Sequence, residues 1–362
     1  MWRGYGLAAA LGACLALSGG CGGCGDNQPA AKYKIAVIPK GLTHEFWQSV
    51  HRGAEQAGTD STEQGIPTQI LWDGPRKEDD AQNQIEIIQL NLSNNINGLV
   101  LAPQHSKTMV APVERAIEQG VPVVVIDSGL AKQDMIVKYI ATNNYHGGEL
   151  AAEHLLKVLR DDGKASPKLI LLRYAVGSES TEKREEGFVN YVNKQIEKQN
   201  QTGQPTITWL SNDQYAGATK DAALAKALPL LNSYRDQGID GIFAPNESSA
   251  AGMLQALRTQ DLNKKVRFVG FDSSGPLLSA LYDGDIDGLV VQDPYKMGYL
   301  GVWTLVQYLE GYDVAADGEK TQSTGEHLIT KANLKDKTTR ELFESEMQQK
   351  RTIKPDPFTK KR

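Results

Sequence analysis

A chain of 362 residues with 40% hydrophobic residues, 23% charged residues and a net charge of −5 has the make-up of a soluble globular protein with two domains of ordinary size. These totals exclude disordered and membrane-embedded classes, and with no basic stripe in the body nucleic acid is not an expected partner. Cys14, Cys21 and Cys24 all lie within the first 24 residues, so the body has no disulfide, thiol nucleophile or cysteine metal site.

Along the chain, Arg3 supplies a positive leader, and Leu7 to Leu17 is an apolar run too short to span a bilayer. Ser18-Gly19-Gly20-Cys21 resembles the cleavage site of bacterial lipoprotein signal peptides, whose cysteine is acylated and becomes the mature N-terminus. The expectation is a signal peptide over 1–20 with lipid on Cys21. Leu11-Gly12-Ala13-Cys14 fits that motif better by letter but leaves an h-region of only about 7 residues. Secretion without lipid is the competing reading. Residues 21–32 read as a flexible tether, and several acyl chains on one cysteine would hold the protein at a membrane surface.

The body begins with a β-rich run, Tyr33 to Ile38, and a helix over 45–64. Thr68 to Trp72 is the next strand. Asp79 and Asp80 open a helix whose apolar face is Ala81, Ile85, Ile88 and Leu92. Strand Gly98 to Ala102, a helix bearing Val110, Val113 and Ile117, and strand Val121 to Ile126 follow. The pattern restarts after Tyr139-Ile140-Ala141-Thr142, with a helix over 147–160, a strand over 168–173 and a helix over 181–198. Further strands are expected at 206–210, 241–244, 266–271 and 288–291, and a last helix over 294–310. Residues 311–324 read as loop, 327–330 as a short strand, and 336–362 as a charged tail whose basic end, Lys350 to Arg362, is solvated.

Strand–helix alternation with continuous Val/Ile/Leu runs argues for parallel sheets buried on both faces. The chain also repeats itself. Asn97-Gly98-Leu99-Val100-Leu101-Ala102-Pro103 returns as Asp240-Gly241-Ile242-Phe243-Ala244-Pro245, and Val121 to Ser128 returns as Val266 to Ser273. A repeat this long is no solenoid unit. It suggests two doubly wound α/β lobes, each presenting polar residues at the carboxyl ends of its strands, where open parallel sheets bind ligands. Two such edges facing each other make a cleft.

From Tyr33 to about Leu334 the sequence resembles the type I periplasmic sugar-binding proteins, the ribose- and galactose-binding group that feeds ABC importers. The resemblance rests on Lys34-Ile35-Ala36-Val37-Ile38, His44-Glu45-Phe46-Trp47, Asp127, Asn143-Asn144 with Gly147-Gly148, Arg184-Glu185-Glu186-Gly187-Phe188, Asn246-Glu247, Gly270-Phe271-Asp272 and Gln292. It implies lobes made of 33–142 plus 293–325 and of 143–292 plus 326–335, with hinges near Thr142, Gln292 and 325–327. It implies no cofactor.

Each matched position suits a sugar, whose hydroxyls donate and accept and whose C–H faces are apolar. The resemblance places Phe46 and Trp47 as stacking aromatics; the competing reading puts both in the helix core. His44 bonds ligand by resemblance, or caps its helix. A metal pair of His44 with His51 lacks a third ligand. Asp127 and Asp272 end the duplicated strands as hydroxyl acceptors, against the reading that each caps the next helix. Ribose-type proteins place an arginine after the first of these aspartates; here it is Ser128, which leaves the particular sugar open. Asn144 is a ligand donor or a turn residue, and Arg184 a planar donor or a surface ion pair with Glu182 or Glu185. Asn246 ends a repeated strand, and Gln292 falls at a crossover.

The expected protein is a monomeric solute receptor, periplasmic or at the cell surface, lipid-anchored, that hands a sugar or polyol to an ABC permease. A sensor for signalling or chemotaxis and a secreted carbohydrate enzyme are the alternatives. No glycine-rich phosphate loop or nucleophile elbow supports an enzyme. A LacI-type repressor needs a helix-turn-helix where the leader stands.

Overall fold

The structure, a computed structural model, describes residues 30–315, 318–337, 339, 340, 342, 359 and 360. The leader, Cys21 and most of the tether and charged tail lie outside the described residues. The first half supplies β1 (Tyr33–Ile38), β2 (Thr68–Trp72), β3 (Gly98–Leu101), β4 (Val123–Ile126) and β5 (Lys138–Ala141). The second supplies β6 (Lys168–Arg173), β7 (Thr208–Tyr215), β8 (Gly241–Phe243), β9 (Arg267–Phe271) and β10 (Gly288–Gln292). Short strands follow: β11 (Tyr312–Asp313), β12 (Thr321–Ser323), β13 (Glu326–Ile329) and β14 (Thr359–Lys360), the last paired antiparallel with β11.

One sheet runs β2-β1-β3-β4-β5-β12 and the other β7-β6-β8-β9-β10-β13. Within each, the five main strands are parallel and take the same order, the flavodoxin-like order of doubly wound sheets. The repeat in the sequence is therefore a repeat of topology. The last strand is added differently: β12 lies parallel to β5, and β13 antiparallel to β10.

Helices α1 (Glu45–Glu63), α2 (Ala81–Ser93) and α3 (Val110–Glu118) cover the first sheet. Helices α4 (Asn144–Asp161), α5 (Glu179–Thr202), α6 (Lys220–Tyr234), α7 (Glu247–Thr259) and α8 (Gly275–Asp283) cover the second, and α9 (Pro294–Leu309) returns to the first. Each sheet is thus buried on both faces, which explains the unbroken apolar strands such as Val123-Val124-Val125-Ile126. The chain changes lobe after β5, after β10 and after β12.

Two helix crossings set how close the layers come. A Cβ on Gly53 of α1 would lie 2.0 Å from the Tyr295 carbonyl of α9, and one on Gly298 would lie 2.0 Å from that of Val50. In the other lobe a Cβ on Gly148 of α4 would lie 1.9 Å from the Arg184 carbonyl of α5, and one on Gly187 would lie 2.0 Å from that of Tyr145. Only glycine admits this backbone contact. Because Arg184 is itself at the crossing, the Gly148–Gly187 approach fixes where its guanidinium points.

The region 311–324, expected as loop, contains β12. Thr-Gln-Ser carries no apolar signal, and the strand exists because the edge of β5 offers it a register, Thr321 opposite Tyr139. Helix α4 starts at Asn144, before the expected 147, because the Asn143 side chain accepts from the His146 N–H at 3.2 Å. Among the described residues no helix is long and apolar enough to cross a membrane.

Candidate functional site between the lobes

The carboxyl ends of both sheets face one pocket with a cavity volume of about 20 Å³, room for roughly one water, so the two rims stand closed against each other. Asp127 follows β4 and Asp272 follows β9, and both have left-handed backbones, φ 62° and 68°. Aspartate tolerates this conformation better than most residues, but it still costs about 1–2 kcal/mol. The neighbouring strand pins each one: Asp127 N–H donates to the Ile140 carbonyl of β5 at 3.1 Å, and Asp272 N–H to the Val290 carbonyl of β10 at 2.8 Å. Neither caps the helix that follows it. Strand β5 comes after Asp127, and Ser274 holds the N-cap position of α8.

The first lobe contributes Lys40, His44, Phe46, Trp47, Glu78 and Asp127. Lys40, just beyond β1, is buried and lies 2.7 Å from Asp127. His44 occupies the N-cap position of α1, yet its side chain makes no capping bond; its Nδ1 pairs with Glu78. Glu78 also accepts from Trp47 Nε1 at 2.6 Å and from the Tyr174 hydroxyl at 2.7 Å. Burial pulls His44 down, but the Glu78 carboxylate outweighs it and lifts the imidazole to about 9. Burial pushes Glu78 up, and the opposing charges of His44 and Lys40 bring it down to about 2. Both groups are therefore ionised at neutral pH. Phe46 and Trp47 meet edge to face at 4.8 Å; they belong to the helix core and also line the pocket.

The second lobe contributes Ser180, Thr181, Arg184, Asn246, Glu247, Asp272 and Gln292. Arg184 is fully buried rather than a surface ion pair: Nε donates to Asn144 Oδ1 at 2.8 Å, Nη1 to the Pro245 carbonyl at 3.0 Å, and the guanidinium stacks 3.9 Å from the Phe271 ring centre. Asp272 lies 3.8 Å from Arg184 and accepts from Gln292 Nε2 at 2.5 Å and the Glu247 N–H at 2.9 Å. Burial raises its carboxyl, against the pull of Arg184 and Gln292. Asn246 caps α7 in a capping box with Ser249.

Hydrogen bonds join the two lobes across the pocket. Lys40 Nζ donates to Ser180 at 3.0 Å and Ser178 at 3.2 Å, and the Ser180 N–H donates to Ser128 Oγ at 2.9 Å. Glu247 accepts from the N–H groups of Glu45 and Phe46, at 3.2 Å each, while Glu45 accepts from the Gly275 N–H at 3.0 Å. At the crossovers the Thr142 hydroxyl donates to Gln292 Oε1 at 2.8 Å. Gln292 thus touches a crossover with one end and Asp272 with the other.

Of the ten positions picked from the sequence, eight line the pocket: His44, Phe46, Trp47, Asp127, Arg184, Asn246, Asp272 and Gln292. Ser128 and Asn144 do not line it. Ser128 serves the lobe contact with Ser180, and Asn144 orients Arg184 from behind. The sequence reading missed Lys40, Glu78, Ser180, Thr181 and Glu247. Lys40 follows β1 closely, where the rule on strand ends was available to find it. His51, the other half of the metal pair, instead stacks on Trp72 at 4.3 Å, and no cluster of metal-binding side chains occurs among the described residues.

Known proteins share this fold. The sequence profile of the periplasmic binding protein domain matches residues 35–313. The ribose import binding protein RbsB of Haemophilus influenzae is 28% identical over 291 residues, 80% of this chain and 90% of that protein. The D-ribose/D-allose-binding protein of Pseudomonas aeruginosa is 24% identical over 83% of this chain and 89% of its own length. A carbohydrate-transporter solute-binding protein from Agrobacterium radiobacter, solved with D-arabinose, is 32% identical with a TM-score of 0.76, covering 87% of this chain and 99% of that one. With the profile spanning most of the folded body and both lobes superposing on such structures, the chain belongs to the periplasmic binding protein family, as one of its type I members.

Proposed function

We propose that the protein is an extracytoplasmic receptor that captures a small sugar or polyol between its lobes and delivers it to an ABC importer. The observation that carries this reading is the facing pair Asp127 and Asp272, each held in a strained backbone by its neighbouring strand and each aimed into one pocket with Arg184, Lys40 and the aromatic pair. Carboxylates that accept from two hydroxyls, a fixed guanidinium and an aromatic wall are what a polyhydroxylated ring requires. The relatives supply the sugar class and the importer as partner.

The lobes, 33–142 with 293–325 and 143–292 with 326–335, open and close about the crossovers at Thr142, Gln292 and 324–325. Ligand that bonds both lobes favours the closed state and shifts the population toward it. Both halves of the pocket come from one chain, so a monomer suffices. Binding rather than turnover is the function. A thermal-shift panel of monosaccharides and polyols tests this: one ligand at a hundredfold excess over its Kd is expected to add about 2.7 kcal/mol, several degrees in Tm, and to be recovered chemically unchanged. No response to any sugar, or a chemically altered one, would count against the reading.

Lipid attachment at Cys21 after removal of 1–20 would keep the receptor at the membrane surface; the motif Ser18-Gly19-Gly20-Cys21 supports it. Metabolic labelling with palmitate should mark the protein and leave Cys21→Ala unmarked. A labelled Cys21→Ala protein would move the anchor to Cys14.

A further inference from the structure

Three of the four carboxylates lining the pocket have a cation of their own: Asp127 has Lys40, Glu78 has His44, and Asp272 has Arg184. Two of those cations are also committed elsewhere. Lys40 spends its donors on Asp127, Ser178 and Ser180, and Arg184 gives Nε to Asn144 and Nη1 to Pro245. Glu247 is the fourth carboxylate. Among the described residues no cationic side chain lies within 4.0 Å of it, and it accepts only from the N–H groups of Glu45 and Phe46.

Those two N–H groups are the first of α1, and a helix N-terminus is where a fold most readily holds a ligand's anion. Here the protein fills that place itself. It does the same at two further helix ends that face the cleft. Glu45 occupies the N-terminus of α8 through Gly275, and Asp272 and Asn246 occupy that of α7 through the N–H groups of Glu247 and Ser249. An incoming carboxylate or phosphate would find each of these donors taken and Glu247 repelling it from the pocket wall. At a low effective dielectric that repulsion is strong at contact distance.

We propose that Glu247 sets the charge class of the ligand, so that the pocket accepts uncharged polyols and refuses sugars carrying a carboxylate or phosphate. This inference rests on the receptor reading above. Burial pushes Glu247 up to about 7, against the pull of His44 and the α1 N–H groups, so the carboxylate is charged at pH 8, where the discrimination is read.

The test pairs whichever neutral sugar responds in the panel with the uronic acid made by oxidising its primary alcohol: D-galactose with D-galacturonate, D-glucose with D-glucuronate. At pH 8, calorimetry on wild type should show the acid binding at least about a hundredfold more weakly. Glu247→Gln should shrink that gap tenfold or more by tightening the acid, and Glu247→Asp, which keeps the charge, should preserve it. Equal affinity for both members in wild type, or an unchanged gap in Glu247→Gln, overturns the inference and leaves the receptor reading standing. A panel with no responding sugar overturns both.

Discussion

Asp272→Ala should abolish the ligand-induced rise in Tm while leaving a folded protein. In the proposed receptor this carboxylate accepts from two ligand hydroxyls, and a hydrogen bond to a charged group contributes about 1.5–3 kcal/mol. Losing both predicts a fall in affinity of at least a hundredfold. The substitution also frees Gln292 Nε2 and the Glu247 N–H, both of which now point at Asp272. It puts alanine at φ 68°, a conformation that aspartate tolerates better. The unliganded protein should therefore melt somewhat lower, by a few degrees. Asp272→Asn separates the two effects, since asparagine keeps the backbone preference and one acceptor but turns an amide toward Arg184. It should fold like wild type and still bind weakly. A ligand shift that survives Asp272→Ala would place the site elsewhere.

The reason Asp272 was legible in the sequence, and Glu247 was not, lies in how each is positioned. Asp272 ends Arg267-Phe268-Val269-Gly270-Phe271, and the same pattern ends at Asp127; a repeated strand followed by the same acid is a local signal. The topology was legible for the same cause, because buried parallel strands read as unbroken Val/Ile/Leu runs. Glu247 becomes part of the site only because α1, some two hundred positions earlier in the chain, brings its N–H groups alongside. Glu78 stands in Arg76-Lys77-Glu78-Asp79-Asp80, a run that reads as a solvated turn, and nothing local separates it from its charged neighbours. Its burial is supplied by Trp47 and by Tyr174 of the other lobe. Ser128 and Asn144 erred in the opposite sense: they follow strands as ligand residues do, but each is turned to a protein partner, Ser180 and Arg184. Local pattern locates the rim of the cleft, while tertiary pairing decides which rim residues face inward.

Glu78→Ala should be strongly destabilising. It leaves a buried imidazolium, the Trp47 indole N–H and the Tyr174 hydroxyl without their shared acceptor. Removing one partner of a buried pair costs about 3–5 kcal/mol, which for a protein of this size is roughly a 6 °C fall in Tm. The same pair gives stability a defined pH dependence. His44 is raised from 6.5 to about 9, so its contribution is complete below the unfolded value and disappears as pH rises through about 9. Glu78 is lowered from 4.5 to about 2, so its share is complete above the unfolded value and is lost only as pH falls through about 2. The two shifts describe one interaction, on the order of 3 kcal/mol, and are counted once. Between them the pair is intact across the neutral range. Melting curves from pH 7 to 10.5 on wild type and His44→Gln should therefore converge: the variant starts lower, and wild type loses its advantage on the alkaline side. Parallel curves would mean that His44 is neutral in the folded protein, and that the first lobe brings one fewer positive charge to the pocket wall than its geometry requires.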